Sequence, residues 1–141
     1  FAEDGYTLMG ETLSLKDVDV PVCAIACETD HIAAWKSCYR GVQQMGSRSK
    51  TFIVTQSGHI AGIVNPPSRN KYGHYTNEDM KLAPNEWFEQ AEFSEGSWWP
   101  RWESWLKKRS GKQIAALQPG DSDHPALCDA PGTYVKLSAR R

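Results

Sequence analysis

Two residues carry side chains suited to acid–base chemistry and stand where a fold would present them. Asp30 follows the apolar run Val20–Cys27, and His59 follows the run Thr51–Thr55. An acid after one strand and a histidine after the next is the back half of a nucleophile–acid–histidine triad. In such a triad the carboxylate holds one ring nitrogen and fixes the tautomer, leaving the other nitrogen to take a proton from the nucleophile. Ser57-Gly58-His59 is a turn that would lift the imidazole to a strand end, with glycine supplying backbone freedom. The bland alternative makes Asp30 a helix cap and His59 a loop histidine with its hydrogen bonds satisfied. Spacing alone does not separate the two.

The nucleophile is not apparent. No glycine-flanked elbow of the Gly-x-Ser-x-Gly kind, or its cysteine version, occurs in the sequence. Cys23 and Cys27 lie within a strand pattern, Cys38 within a helical one and Cys128 in a polar tail, so all four read as structural thiols. Cys23 and Cys27 would share a strand face about 13 Å apart, at about 3.3 Å per residue, too far for one metal ion or one disulfide. A Cys/His metal site is therefore not expected. His31 is adjacent to Asp30 and reads as positional, while His74 and His124 fall in polar stretches and are expected in solvent.

Placing Asp30 and His59 together requires a particular set of elements. Val20–Cys27 is continuous and apolar, as in a strand buried on both faces. Trp35, Cys38, Tyr39, Val42 and Met45 fall at helical spacing and predict an amphipathic helix over 33–45 that ends near Gly46. Thr51–Thr55 is β-branched and aromatic, a second buried strand. The order strand, helix, strand is a βαβ unit and implies α/β architecture with a parallel sheet. Ligands in such sheets gather at the carboxyl ends of the strands, the edge on which Asp30 and His59 both fall.

Downstream, 66–96 reads as polar and irregular, with a short helix around Asn85–Glu92. Ser97–Leu106 is a strong helix signal. Ser97 is placed to cap it, Pro100 sits in its first turn, and Trp98, Trp102 and Trp105 share one face. Tryptophans at this spacing predict core, with one or two rings partly exposed. Asn65-Pro66-Pro67 reads as a rigid loop closure, and Gln118–Gly132 as loop. Two strands with open edges predict poor folding in isolation.

The chain of 141 residues, with 16 basic and 17 acidic side chains and a formal charge of −1, fits one domain over 1–141. With an isoelectric point near 6.5 it is not expected to bind nucleic acid or a polybasic-type membrane surface. The Arg140-Arg141 end is too short for a nucleic-acid tail. No apolar run approaches the roughly 20 residues needed to span a bilayer.

Four stretches then resemble a known family. Asp30-His31-Ile32-Ala33-Ala34-Trp35, Ser57–Pro67 with its Ser-Gly-His-Ile-Ala-Gly and Asn-Pro-Pro, Gly96-Ser97-Trp98-Trp99-Pro100-Arg101-Trp102 and Pro131–Lys136 are similar, in order, to the C-terminal part of class I polyhydroxyalkanoate synthases. The resemblance runs from about Tyr6 to Lys136. It implies the C-terminal portion of an α/β-hydrolase fold, with the N-terminal part absent. The implied activity is an acyltransferase that polymerises (R)-3-hydroxyacyl-CoA into polyester and releases CoA. The implied nucleophile is a cysteine in a lipase-like box upstream of this chain, so the chain alone is expected to be inactive. His59 would be the base, and Asp30 would orient it or activate the substrate hydroxyl.

Acyl-CoA and the growing polyester are the partners so implied, with a homodimer, a cytoplasmic location at polymer granules and no cofactor beyond the CoA thioester itself. Two positions depart from the family pattern: Ala34 where proline is usual and Arg101 where aspartate is common. Neither touches the acid or the base. Two other readings stand beside this one, the matching piece of an esterase or polyester depolymerase, and a non-enzymatic aromatic module built on the tryptophan helix.

Overall fold

The computed structural model describes residues 5–138, so Arg140-Arg141 lies outside the described residues. The chain divides into two compact units, Phe1–Ser110 and Gly111–Arg141. The first holds the βαβ unit. Strand β3 (Val22–Cys27) leads through helix α1 (Trp35–Gln44) to strand β4 (Lys50–Thr55), and the two strands pair in parallel, Val22 opposite Lys50 through Cys27 opposite Thr55. An antiparallel hairpin, β1 (Tyr6–Leu8) and β2 (Glu11–Leu13), precedes them. Its tip, Met9-Gly10, has both residues at positive φ (53° and 87°), the primed turn geometry that matches strand twist.

The sheet is mixed rather than purely parallel. Strand β5 (His74–Thr76) pairs antiparallel with β4, and β6 (Glu92–Ser94) antiparallel with β5, giving the order β3-β4-β5-β6. The stretch expected to be irregular thus supplies two strands, with helix α2 (Pro84–Glu89) between them. Pro84 starts α2, and the Glu86 carboxylate accepts the Ala83 N–H at 3.2 Å, half of a capping box.

One face of the sheet carries the core. Ala26, Phe52 and Val54 pack with Trp35, Tyr39 and Val42 of α1 and with Trp87 of α2. Trp87 is fully buried and meets Tyr39 and Phe52 at ring-centroid distances of 5.3 and 5.6 Å. Its indole N–H donates to Asn77 O, and Tyr39 Oη donates to Leu82 O, so the polar tips of these two aromatics are satisfied. Strand β3 is less buried than its sequence suggests: only Ala26 and Cys27 are fully covered, because among the described residues it has a neighbour on one side only.

Helix α3 (Trp99–Lys107) starts one turn position later than the serine cap implies, yet Ser97 Oγ still accepts the Trp99 N–H at 3.2 Å. Its tryptophans correct the core expectation. Trp98, just before the helix, is buried, but no residue of the helix itself is, and Trp102 is exposed. The helix turns Arg101, Ser104, Trp105 and Lys108 toward a groove that Cys23, Thr51 and Ile53 also line. Arg109 stacks on Trp105 at 4.1 Å and donates to Ser49 Oγ, tying the end of α3 to the loop before β4.

In the second unit, residues 111–133 contain no helix or strand, and a short 3₁₀ turn, Tyr134–Lys136, follows. Among the described residues no helix is long and apolar enough to cross a membrane, and no His/Cys/Asp/Glu group could hold a metal ion.

Candidate active site

Asp30 and His59 meet at the carboxyl edge of the two parallel strands. The strand ends remain laced beyond the ladder: Glu28 N–H donates to Thr55 O, and Thr29 N–H to Ser57 O. Ser57 accepts that bond with φ at +77°, a left-handed conformation uncommon outside glycine, and it turns the chain sharply off β4. His59 Nδ1 then lies 2.7 Å from Asp30 Oδ2, a short, charge-assisted contact.

The other carboxylate oxygen is engaged as well. Asp30 Oδ1 accepts the backbone N–H groups of Ile32 (2.8 Å) and Ala33 (3.0 Å). One oxygen thus holds the loop after β3 and the other holds His59, whereas the helix-cap expectation is corrected: α1 begins at Trp35 with Ala34 at its N-cap and no side-chain cap. The Ala33 N–H, then His59, then the Ile32 N–H hold the Asp30 carboxyl down at about 2, so it is ionised throughout the neutral range. The Asp30 side chain is almost covered, with 6% exposure, whereas His59 keeps 48%. With Nδ1 committed to Asp30, Nε2 is the nitrogen left for chemistry, and among the described residues no hydroxyl or thiol is bonded to it.

The loop that carries His59 is anchored at several points. Gly62 N–H donates to Gly58 O at 3.3 Å, closing a turn around His59. A Cβ on Gly62 would meet Thr55 Cγ2 at 2.8 Å and Cys27 Sγ at 3.1 Å and overlap Gln56 O, so only glycine permits this close seating on the strand ends. Cys27 Sγ lies 3.9 Å from His59 O. Farther on, Asn65 is buried; its amide donates to Tyr72 O (2.7 Å) and accepts the Lys71 N–H (2.9 Å). Asn65-Pro66-Pro67 thus closes the loop, as its composition suggests.

The remaining candidates separate clearly. His31 is exposed, and so is His124, which lies 3.3 Å from Asp121 in the second unit. His74 is not in solvent as expected: it is buried within β5, with Nδ1 3.0 Å from Gly96 O. Burial, and after it the Arg101 charge, push its imidazole below the ordinary range against the pull of Gly96 O. The four cysteines are all free thiols. Cys23 and Cys27 are pushed up, chiefly by burial, which suits structural thiols rather than nucleophiles. Cys128 is exposed rather than buried. Ala34, the position where proline is usual in the resembling family, has φ −53°, a value that proline would also adopt.

Sequence reasoning did not anticipate how the two adjacent tryptophans are used. Trp98 Nε1–H donates to Gly62 O (3.1 Å) and Trp99 Nε1–H to Ile63 O (3.0 Å). Their helical spacing signals packing and hides the hydrogen bonds.

No protein-family model matches the chain. It is 44% identical over 128 residues to the poly(3-hydroxyalkanoate) polymerase subunit PhaC of Rhizobium etli, which covers 91% of this chain and 20% of the relative. It is 37% identical over 134 residues to the corresponding subunit of Cupriavidus necator (94% and 23%). The poly(3-hydroxyalkanoate) polymerase of Methylorubrum extorquens is 38% identical over 137 residues (96% and 22%). The chain spans about a fifth of the length of the curated relatives it matches. This chain is a relative of the poly(3-hydroxyalkanoate) polymerases and the counterpart of about a fifth of such a protein.

Proposed function

We propose that the chain supplies the acid and the base of an α/β-hydrolase-type acyltransferase that polymerises (R)-3-hydroxyacyl-CoA into polyester with release of CoA. The observation that carries this reading is the 2.7 Å contact between His59 Nδ1 and a nearly covered Asp30 carboxylate at the carboxyl edge of parallel strands. The nucleophile is a cysteine thiol from elsewhere in the working polypeptide. His59 Nε2 takes the thiol proton, and the thiolate attacks the thioester carbonyl of the acyl-CoA. The tetrahedral adduct then collapses and expels CoA as a thiolate, which the imidazolium protonates. In the next step His59 takes the proton of an attacking hydroxyl. The enzyme thioester bond breaks as the ester bond to that hydroxyl forms, the imidazolium returns its proton to the departing cysteine thiolate, and the polyester is one unit longer.

Of the two roles open to Asp30, orienting His59 is the better supported. One carboxylate oxygen is held by two backbone N–H groups and the other by the imidazole, so the group is spent on fixing the ring and stabilising its cation. The reaction needs no cofactor beyond the CoA thioester, and the working enzyme is a cytoplasmic homodimer at polymer granules.

The test is CoA release from 3-hydroxybutyryl-CoA by the full polypeptide that carries this chain. His59→Ala is expected to lower kcat by about 10³-fold or more. Equal release by both proteins removes His59 from the mechanism. Ester hydrolysis without CoA release by the wild type points instead to the esterase reading.

A further inference from the structure

We infer that Trp98 and Trp99 are positioning residues for His59, acting as a pair of indole N–H clamps on the backbone of the loop that carries it. The inference rests on the proposed role of His59 and adds to it the device that holds the histidine in place.

The clamp follows from four contacts in series. Trp98 Nε1–H donates to Gly62 O at 3.1 Å, and Trp99 Nε1–H donates to Ile63 O at 3.0 Å. Two consecutive carbonyls of one loop are thus bound by two consecutive indoles. Gly62 N–H in turn donates to Gly58 O, and His59 stands inside the turn so closed. Thr55 Oγ1, fully buried at the end of β4, lies 3.3 Å from the same Gly62 carbonyl, with Gly73 O at 3.4 Å and Gln56 O at 3.5 Å also in reach of its one proton. Gly62 is therefore seated against the strand end on one side and held by the tryptophan on the other, and the imidazole leaves the chain three residues earlier.

The clamp itself is rigid. Trp98 is buried and meets Trp99 edge-on at 6.2 Å. Asn70 Oδ1 accepts the Ser97 N–H at 2.8 Å, and a Cβ on Gly96 would collide with the Asn70 amide. The segment leading into α3 is thereby pressed against the same loop system that ends at Asn70. The indole N–H is a donor only, so it selects carbonyl oxygen. The two bonds serve geometry: a base displaced by about 1 Å can cost about 10²-fold in rate.

Ring packing and N–H donation can be told apart. Trp98→Phe keeps an aromatic ring and removes the donor, Trp98→Ala removes both, and Trp102→Phe alters an exposed ring of the same cluster. In the full polypeptide, CoA release from 3-hydroxybutyryl-CoA is measured for each, with kcat and KM separated and thermal unfolding followed alongside. The expected result for Trp98→Phe is a fall in kcat of roughly 10-fold or more, with KM unchanged, while Trp102→Phe matches wild type. Trp99→Phe, at a half-buried position, should show the same split to a smaller degree and serves if Trp98→Phe does not fold. Wild-type kcat in both Trp98→Phe and Trp99→Phe, with His59→Ala inactive, overturns the clamp and leaves the role of His59 standing. Wild-type kcat in His59→Ala overturns both.

Discussion

Alanine at Gly62 should disarm the Asp30–His59 pair, although the same substitution at Gly58, directly beside His59, should be almost silent. An added Cβ on Gly62 falls 2.8 Å from Thr55 Cγ2, about 0.7 Å inside the separation of about 3.5 Å at which carbon atoms begin to attract. The strand side cannot yield. Thr55 is fully buried, and Gln56 is bonded to Gly73 twice, through its own N–H and through its side-chain oxygen. The loop must move instead. A displacement of that size, passed to His59, carries the 2.7 Å contact with Asp30 past the about 3.2 Å limit of a useful hydrogen bond.

The expected loss is roughly 10- to 100-fold in kcat, with a destabilisation of about 1–3 kcal/mol from overpacking. At Gly58 the added Cβ meets only Thr29 Oγ1 at 3.7 Å and Thr29 O at 3.9 Å, which is ordinary contact. Both variants are to be assayed for CoA release in the full polypeptide and for urea unfolding. Wild-type kcat in Gly62→Ala, or equal damage in Gly58→Ala, would refute the reasoning.

Three further outcomes follow from the same geometry. Asp30→Asn keeps an oxygen for the Ile32 and Ala33 N–H groups but presents the wrong partner to His59 Nδ1, so kcat should fall by about 10³–10⁴-fold with little change in unfolding; a kcat within threefold of wild type would sink the orienting role. His74 is held neutral below its ordinary range, so the unfolded chain binds a proton that the folded one refuses. Its contribution to stability is complete above about pH 6.5 and is lost as pH falls from there toward the folded value. Melting temperatures at pH 7 and 5.5 should therefore differ more for wild type than for His74→Gln, and identical slopes would count against it. Asn65→Leu strips the partners from Tyr72 O and the Lys71 N–H and should cost about 2 kcal/mol in urea unfolding; a cost below about 0.5 kcal/mol would mean that the loop closes without it.

The parts legible in the sequence are those in which local pattern and tertiary role coincide. An uninterrupted apolar run made β3, helical spacing made α1, and β-branched residues made β4, so the common edge for Asp30 and His59 could be inferred. Strands β5 and β6 were not legible. Each is three residues long with a single aromatic, Tyr75 or Phe93, and three residues carry no period. They exist because Thr55 faces His74 and His74 faces Ser94, pairings that join distant segments. The tryptophan helix misled for the opposite reason: its spacing is strongly amphipathic, but a pattern reports a face and not what covers it. At the candidate site, the meeting of Asp30 with His59 was legible by residue type and order, whereas the indole bonds to Gly62 O and Ile63 O were not, because an indole donating to a carbonyl leaves no trace in spacing.

The sheet order has a consequence for how this chain, taken by itself, opens. Strand β4 is paired on both sides, by β3 and by β5, whereas among the described residues β3 is paired on one side only. Amide protons of β4 should then be among the slowest in the sheet to exchange, and those of β3 faster. His59 hangs from the end of the strand paired on both sides and Asp30 from the end of the one paired on a single side. Gentle heating should therefore open the two halves of the site in sequence, the acid drifting from a histidine that is still in place. In this chain by itself, loss of the Asp30–His59 contact would then run ahead of denaturation, a gap visible as a shifted His59 imidazole NMR signal before bulk circular dichroism has changed.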